Sequence, residues 1–274
     1  MRTLVAGRLR LVDAIGAGGT GTVWRAWDVG SHRYVAAKLH TGPAPGGRVP
    51  VPVRHPHVLT AAEWLDGGAP ISLMRLVRGG TADRLLADHG ALPAAYVAVL
   101  LDQLLDALAS VHAAGFAHRD VKPANLLLEP TGTARPHLWL GDLDVAAPLD
   151  APCPTFAGTD RYLAPEAMPG APTRRGHDLF AAGATAAELL TGLVPRCDRD
   201  LPRSPLGGLL RRLVSADPQR RPATTEEARA ELRTLGVPQG APWQQRPRPP
   251  DVADRIRRLT PLERWRVQGT RAAQ

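Results

Sequence analysis

Hydrophobic and polar residues follow two periods along this chain. From Leu9 to Ile15, from Thr22 to Trp27 and from Tyr34 to Lys38, short β-prone runs are separated by turns of Gly, Asp and Ser, which predicts strands. Ile71 to Val77 reads as a further, buried strand, ended by Gly79-Gly80. The period then lengthens. Thr81 is a candidate N-cap for a short helix. Between Pro93 and His112, Leu101, Leu104, Leu105 and Leu108 recur at helix spacing, so one face of that helix is expected in a core. Leu126–Leu128 and His137–Leu140 are short strand runs, and Asp178-Leu179-Phe180 opens an apolar helix reaching Gly192. Thr224-Thr225-Glu226-Glu227 starts another helix, its acidic residues favourable to the helix dipole. No internal repeat interrupts this order.

Two stretches break the pattern. Leu39 to Val53 has no acidic residue and carries Pro43, Pro45, Gly46, Gly47, Pro50 and Pro52, which argues against a long helix there. Residues 236–250 are rich in Pro, Gly, Gln and Arg and read as a linker. Beyond them, Asp251–Leu259 and Pro261–Gly269 are expected as two short basic helices, Thr260-Pro261-Leu262-Glu263 being a good capping sequence.

Composition adds bounds. With 274 residues, 44% of them hydrophobic, the chain can bury a substantial core in one or two units. Its two cysteines, Cys153 and Cys197, are too few for a disulfide framework and are expected as free thiols in a reducing compartment. No N-terminal apolar run resembles a signal peptide, and Asp102, Asp106 and Glu188 interrupt the apolar helices, so no transmembrane segment is expected and the predicted location is cytoplasmic. The net charge of +8 is uneven: residues 1–195 carry 17 basic and 17 acidic side chains, residues 196–274 carry 17 and 9. A basic end can attract nucleic acid or an anionic membrane. Lacking interleaved aromatics and any nucleic-acid motif, it is better read as a solvated face or a partner-docking surface.

The chemistry concentrates in His118 to Asn125, His-Arg-Asp-Val-Lys-Pro-Ala-Asn. A carboxylate at Asp120, an ammonium at Lys122 and an amide at Asn125 suit phosphoryl transfer, which needs a proton acceptor, a cation for the moving phosphoryl group and an oxygen ligand for metal. Gly16-Ala17-Gly18-Gly19-Thr20-Gly21-Thr22-Val23 joins two predicted strands, whereas a dinucleotide site would open a helix. His55-Pro56-His57 has no further ligands around it and does not read as a metal site. Scarcity sharpens the picture. Of 34 basic residues only Lys38 and Lys122 are lysine, and Asn125 is the sole asparagine. Were the positions arbitrary, lysines would fall on both of these positions about once in 560 times, given that Arg and Lys differ chemically.

With these motifs in order, residues 4–235 resemble the Ser/Thr protein kinase family, in its bacterial, eukaryotic-type form from GC-rich, actinobacterial-like genomes. The resemblance implies an α+β, two-lobed fold: a kinase domain over residues 1–235, with an N-lobe over about 1–74, a connector at 75–77 and a C-lobe over 78–235, then the linker and a tail over 251–274. It casts Gly16, Gly18, Gly21 and Val23 as a flap over ATP, Ala36 and Met74 as adenine-pocket residues, and Lys38 as the contact to the α- and β-phosphates. Asp120 and Lys122 become catalytic, and Asn125 and Asp142, the latter in Gly141-Asp142-Leu143-Asp144, become ligands of Mg2+ or Mn2+. Asp178 is implied as the buried anchor of the catalytic-loop backbone and Arg221 as the partner of Glu166, while Leu206–Val214 and Thr224–Leu235 match the terminal helices. Thr155 and Thr159 are candidate phosphosites facing Arg119.

Three departures accompany the likeness. The regulatory helix that normally supplies a glutamate to the strand lysine is reduced or missing, with Glu63 the first substitute in sequence and Asp66 the second. Asp144 replaces a glycine beside the metal-binding aspartate, losing backbone freedom. Between Gly192 and Leu206 the usual helix and long loop are largely absent. The expected function is ATP- and Mg2+-dependent phosphorylation of protein Ser/Thr hydroxyls, including the chain's own. A nucleotide-binding pseudokinase and a small-molecule kinase remain alternatives, and neither the protein substrate nor a partner of the basic tail can be read from these residues.

Overall fold

The alternating runs at the start of the chain pair into one antiparallel sheet. A computed structural model describes residues 4–41, 51–153, 160–195, 200–237 and 249–268. These fall into two units, the first drawn from Met1–Pro50, Leu59–Val77 and Ile256–Gln274, the second from Val51–Val58 and Arg78–Arg255.

In the first unit β1 (Leu9–Gly18), β2 (Gly21–Asp28), β3 (Arg33–His40), β4 (Glu63–Asp66) and β5 (Pro70–Met74) form a five-stranded sheet of order β1-β2-β3-β5-β4. Alternate residues Ala37 on β3 and Ile71 and Leu73 on β5 join Leu9 and Ala26 in a small core on one face. The opposite face carries Lys38, set by register between Val23 and Ser72. Among the described residues no helix stands between β3 and β4, and most of the Pro/Gly-rich stretch, residues 42–50, lies outside them.

The second unit is mostly helical. Its centre is α2 (Ala94–Ala113), packed against α3 (Arg175–Thr191) and α5 (Thr225–Thr234), while α1 (Ala82–His89) and α4 (Pro205–Leu213) pack on α3. The leucine stripe predicted one buried face, but α2 is buried nearly all round, Tyr96, Val97, Val99, Leu100 and Val111 included. Three of its polar residues are engaged inside: Gln103 bonds Pro136 O and the Leu138 amide, and Asp102 and Asp106 hold Arg229 of α5. Thus α2, the one described helix long and apolar enough to cross a membrane, is the core helix of this unit. Thr81 precedes α1 without a side-chain cap, whereas Ser204 and Thr224 cap α4 and α5 through the amides of Gly207 and Glu227. Between α3 and α4 no α-helix occurs among the described residues.

Short antiparallel pairs place the loops that matter. The β7 strand (Leu126–Leu128) pairs with β8 (Leu138–Leu140), and β6 (Phe116–Ala117) pairs with β9 (Ala147–Pro148). Residues 51–58 belong here and not with the first sheet, because Val58 bridges Leu140, His57 O accepts the Leu140 amide and His57 Nδ1 bonds Leu138 O. The expected N-lobe boundary therefore has an exception at this segment.

The tail also departs from expectation. Asp251–Leu259 is not a helix, because its backbone is engaged elsewhere: Val252 exchanges two bonds with Gly132, and the Arg255 amide bonds Arg78 O. Gly79 and Gly80 are the seat for this stretch. A side chain on Gly79 would strike Val252 and the Leu128 carbonyl, and one on Gly80, at φ 82°, would strike Arg255. The second predicted helix does form, as α6 (Pro261–Gln268), with Thr260 and Glu263 bonding each other's amides in a capping box.

Candidate functional site

Each unit contributes its own set of groups. In the first, the hairpin joining β1 and β2 closes at the Gly18–Gly21 pair. Gly21, at φ 149°, admits no side chain, since a Cβ would overlap the Leu39 carbonyl on β3. Around Gly18 and Gly19 nothing lies within 4 Å of where a Cβ would stand, and Gly16 meets only Val23 at 3.9 Å. Glycine there is not demanded by the chain's own packing, which leaves room for backbone amides to approach phosphate oxygens. Val23 pairs with Lys38 and Ala36 with Met74, so the predicted nucleotide residues of this unit stand on adjoining strands. Lys38 is buried, as is Ser72 opposite it, and Ser72 Oγ bonds His40 Nε2 at 3.0 Å.

Glu63 does not take the place of the missing helix glutamate. It pairs in register with Leu73, one residue out of step with the Lys38–Ser72 pair, and so faces the other side of the sheet. Its carboxylate accepts from Arg8 Nη1 at 2.7 Å, while the same guanidinium grips Asp28 at 2.6 and 2.7 Å. Burial would raise the Asp28 carboxyl, but the Arg8 bonds, the largest influence, hold it well below the usual carboxylate range. Asp66 ends the same strand, its carboxylate accepting the Gly68 amide at 3.1 Å in the β4–β5 turn.

In the second unit the loop 118–125 is fixed from beneath. Asp178, in the first turn of α3 and 1% exposed, accepts the His118 and Arg119 amides at 2.8 Å each and His112 Nε2 at 2.8 Å. Burial pushes this carboxyl up, yet the His112 bond, the neighbouring imidazoles and the Arg119 amide outweigh it and hold the group below its ordinary value. Those bonds also hold Arg119 at φ 70°, the left-handed turn that presents Asp120. His118, fully buried, bonds Gly141 O through Nε2 at 3.0 Å and accepts the Asp120 amide at Nδ1.

The three residues singled out by type meet at one carboxylate. Lys122 Nζ donates to Asp120 Oδ2 at 2.7 Å, and Asn125 Nδ2 donates to the same oxygen at 2.9 Å and to Asp120 O at 2.7 Å. Asn125 thereby commits its N–H groups and keeps its carbonyl oxygen for another partner. The Gly141 amide bonds Asn125 O at 2.9 Å, which sets Asp142, in left-handed conformation at φ 61°, beside the loop. An amide oxygen and a carboxylate make the kind of hard donor set that suits Mg2+, which binds few protein ligands and completes its shell with water and phosphate. Asp144 follows in a 3-10 turn, Leu143–Val145, and is not among the residues of positive φ, so the loss of glycine there strains nothing.

The surrounding frame holds firmly. Glu166 is gripped bidentately by Arg221 at 2.6 and 2.8 Å, and Arg221 also reaches Ser215 O, Gly176 O and the Phe180 ring. Arg119 points its guanidinium at Cys153 Sγ and Val145 O. Thr155, Thr159 and Cys197 lie outside the described residues. His112 under Asp178 and Cys153 against Arg119 carry no local pattern by which the sequence could have revealed them. Nδ1 of His57 bonds Leu138 O, and among the described residues no group of three or more His, Cys, Asp or Glu is placed to hold a metal ion.

In one unit a carboxylate is braced by lysine and asparagine on a buried-aspartate platform, and in the other a glycine hairpin adjoins a strand lysine; both are sets that the sequence likeness assigned to a kinase. The chain belongs to the protein kinase family, whose domain pattern matches residues 48–204, and it has that family's two-lobed α+β fold. Its similarities lie with bacterial Ser/Thr kinases. It is 32% identical to the serine/threonine-protein kinase PkaA of Streptomyces coelicolor over an alignment of 258 residues taking in 81% of this chain and 45% of that protein. To PkaB of the same organism it is 42% identical over 151 residues, 52% of this chain and 36% of the other. To PknL of Mycobacterium tuberculosis it is 33% identical over 223 residues, 71% and 55% respectively. The chain thus spans about half the length, or less, of these relatives.

Proposed function

We propose that this chain transfers the γ-phosphoryl group of ATP to serine or threonine hydroxyls of proteins, itself included, in the cytoplasm. The observation that carries the proposal is the shared oxygen of Asp120, held by Lys122 at 2.7 Å and Asn125 at 2.9 Å on a loop whose amides are bound by buried Asp178. In that setting Asp120 orients the acceptor hydroxyl and takes its proton, and Lys122 stabilises charge on the moving phosphoryl group. Gly16, Gly18, Gly21 and Val23 cover the nucleotide, Ala36 and Met74 flank its adenine, and Lys38 steadies the α- and β-phosphates. Asn125 and Asp142 would hold a divalent ion, Mg2+ or Mn2+, whose charge would neutralise the phosphate oxygens. Contributions of this kind are positional and electrostatic, so the preset carboxylate matters more than any single strong base.

The test is incubation with labelled ATP, Mg2+ and a generic protein acceptor, beside an Asp120→Asn control, followed by mapping of phosphorylated residues. Label on Ser or Thr that is lost in the control is the expected result. ATP binding without transfer by the wild-type chain would overturn the proposal, as would label found only on small metabolites.

A further inference from the structure

We infer that α6 is a docking element for anionic lipid surfaces, a role beyond the phosphotransfer proposed above. Its inner side is anchored to the sheet of the first unit. Arg10 on β1 donates to Val267 O at 2.6 Å, and buried Arg25 on β2, itself bound to Asp13, donates to Arg257 O at 2.9 Å. Val267 is accordingly 8% exposed. Two residues along a helix turn the side chain about 200°, so Trp265 points away from the anchored side, and Leu262, three residues earlier, shares its face. These two are 58% and 56% exposed and neighbour each other on the outer face, so they form a paired apolar surface and not a single exposed side chain.

The charges around them have the matching arrangement. Glu263 is committed to Arg257, Arg255 to Asp88, and Arg78 to Asp254. Arg258, Arg264 and Arg266 are exposed and form no ion pair among the described residues, and Arg264 and Arg266 fall by helix geometry on the two sides of the Leu262–Trp265 face. Sequence alone favours a solvated or protein-docking face. The outward tryptophan changes that balance, since an aromatic ring with an N–H, an aliphatic neighbour and flanking arginines suit the headgroup boundary of an acidic bilayer. A convex helix surface of this kind suits a broad, flat partner better than it suits a peptide needing a groove.

The experiment uses the full chain, sedimented with vesicles of phosphatidylcholine alone or of phosphatidylcholine with phosphatidylserine. Binding is expected only with phosphatidylserine and is expected to weaken with added salt. Changing Arg258, Arg264 and Arg266 to Gln should weaken it by about fivefold per arginine, and Trp265→Ala should weaken it further. Arg203→Gln, an exposed arginine of the second unit, should leave it unchanged. Far-UV dichroism and vesicle-free autophosphorylation separate this outcome from misfolding or a failed kinase assignment. Equal sedimentation with both vesicle types, wild-type binding by the α6 variants, an equal loss in Arg203→Gln, or preference for polyglutamate over vesicles would overturn the inference.

Discussion

Replacing Asp178 with Asn tests whether the catalytic loop is held by its buried carboxylate. The native group serves three donors: Oδ2 accepts the His118 amide and His112 Nε2, and Oδ1 accepts the Arg119 amide. An asparagine can turn its carbonyl to only one side. If it keeps His118 and His112, its NH2 group confronts the Arg119 amide, donor against donor. A hydrogen bond to a charged group contributes about 1.5–3 kcal/mol, and a stranded buried donor adds about 1–3. Relief from burying a carboxylate offsets part of this, so a net destabilisation of about 2–3 kcal/mol is expected. For a chain of this size that is a fall of about 5–10 °C in the melting midpoint. Function should suffer more. Arg119 sits in a left-handed conformation that costs about 1–2 kcal/mol, and with its amide released it can relax and carry Asp120 with it. A misplacement near 1 Å costs on the order of a hundredfold, so kcat should fall by about that factor while KM for ATP holds. Thermal melts beside initial-rate assays over a range of ATP check both halves. An Asp178→Asn protein with wild-type kcat and midpoint would refute the reasoning.

Other expectations can be measured alongside. Lys38→Arg should abolish most transfer although charge is kept, while Arg264→Lys on α6 should not; an active Lys38→Arg protein would contradict the lysine census. Gly21→Ala forces a side chain against the Leu39 carbonyl at φ 149° and should cost about 2–4 kcal/mol, read by urea denaturation. The Glu166 carboxyl is pushed up by burial but held below its ordinary value by Arg221. Its contribution is therefore present above the unfolded carboxylate value of about 4.3 and lost as pH falls through the lowered folded value. Urea midpoints measured down to about pH 3 should fall along this limb, and Arg221→Met should lower stability at neutral pH while flattening it.

What could be read beforehand was what is local. The octet from His118 to Asn125 places its three groups within one loop, so spacing alone brought them to one carboxylate. Asp178 and the Glu166–Arg221 pair were implied by family likeness, and the hydrogen bonds agree. Glu63 failed as a partner for Lys38 because strand register, invisible in composition, turns it to the other face, where Arg8 waits 55 residues away in sequence. Asp251–Leu259 failed as a helix for a related reason: its charge pattern suits one, but backbone bonds to Gly132 and Arg78 compete and win. Burial all round α2 likewise depends on neighbours far along the chain, which a stripe of leucines cannot report.

The seat of the tail bears on how this protein should be cut. The resemblance read from the motifs runs to Leu235, which makes that a natural place to shorten the chain for expression. Yet Arg25, 4% exposed, gives one of its donors to Arg257 O, and Val252 and Arg255 lie against Gly79 and Gly80. A fragment stopping at Leu235 would leave a buried guanidinium short of an acceptor and uncover Gly79 and Gly80, against which Val252 and Arg255 lie. The length that carries the motifs and the length that folds without loose ends are therefore different, and the second reaches at least Val267, whose carbonyl accepts from Arg10.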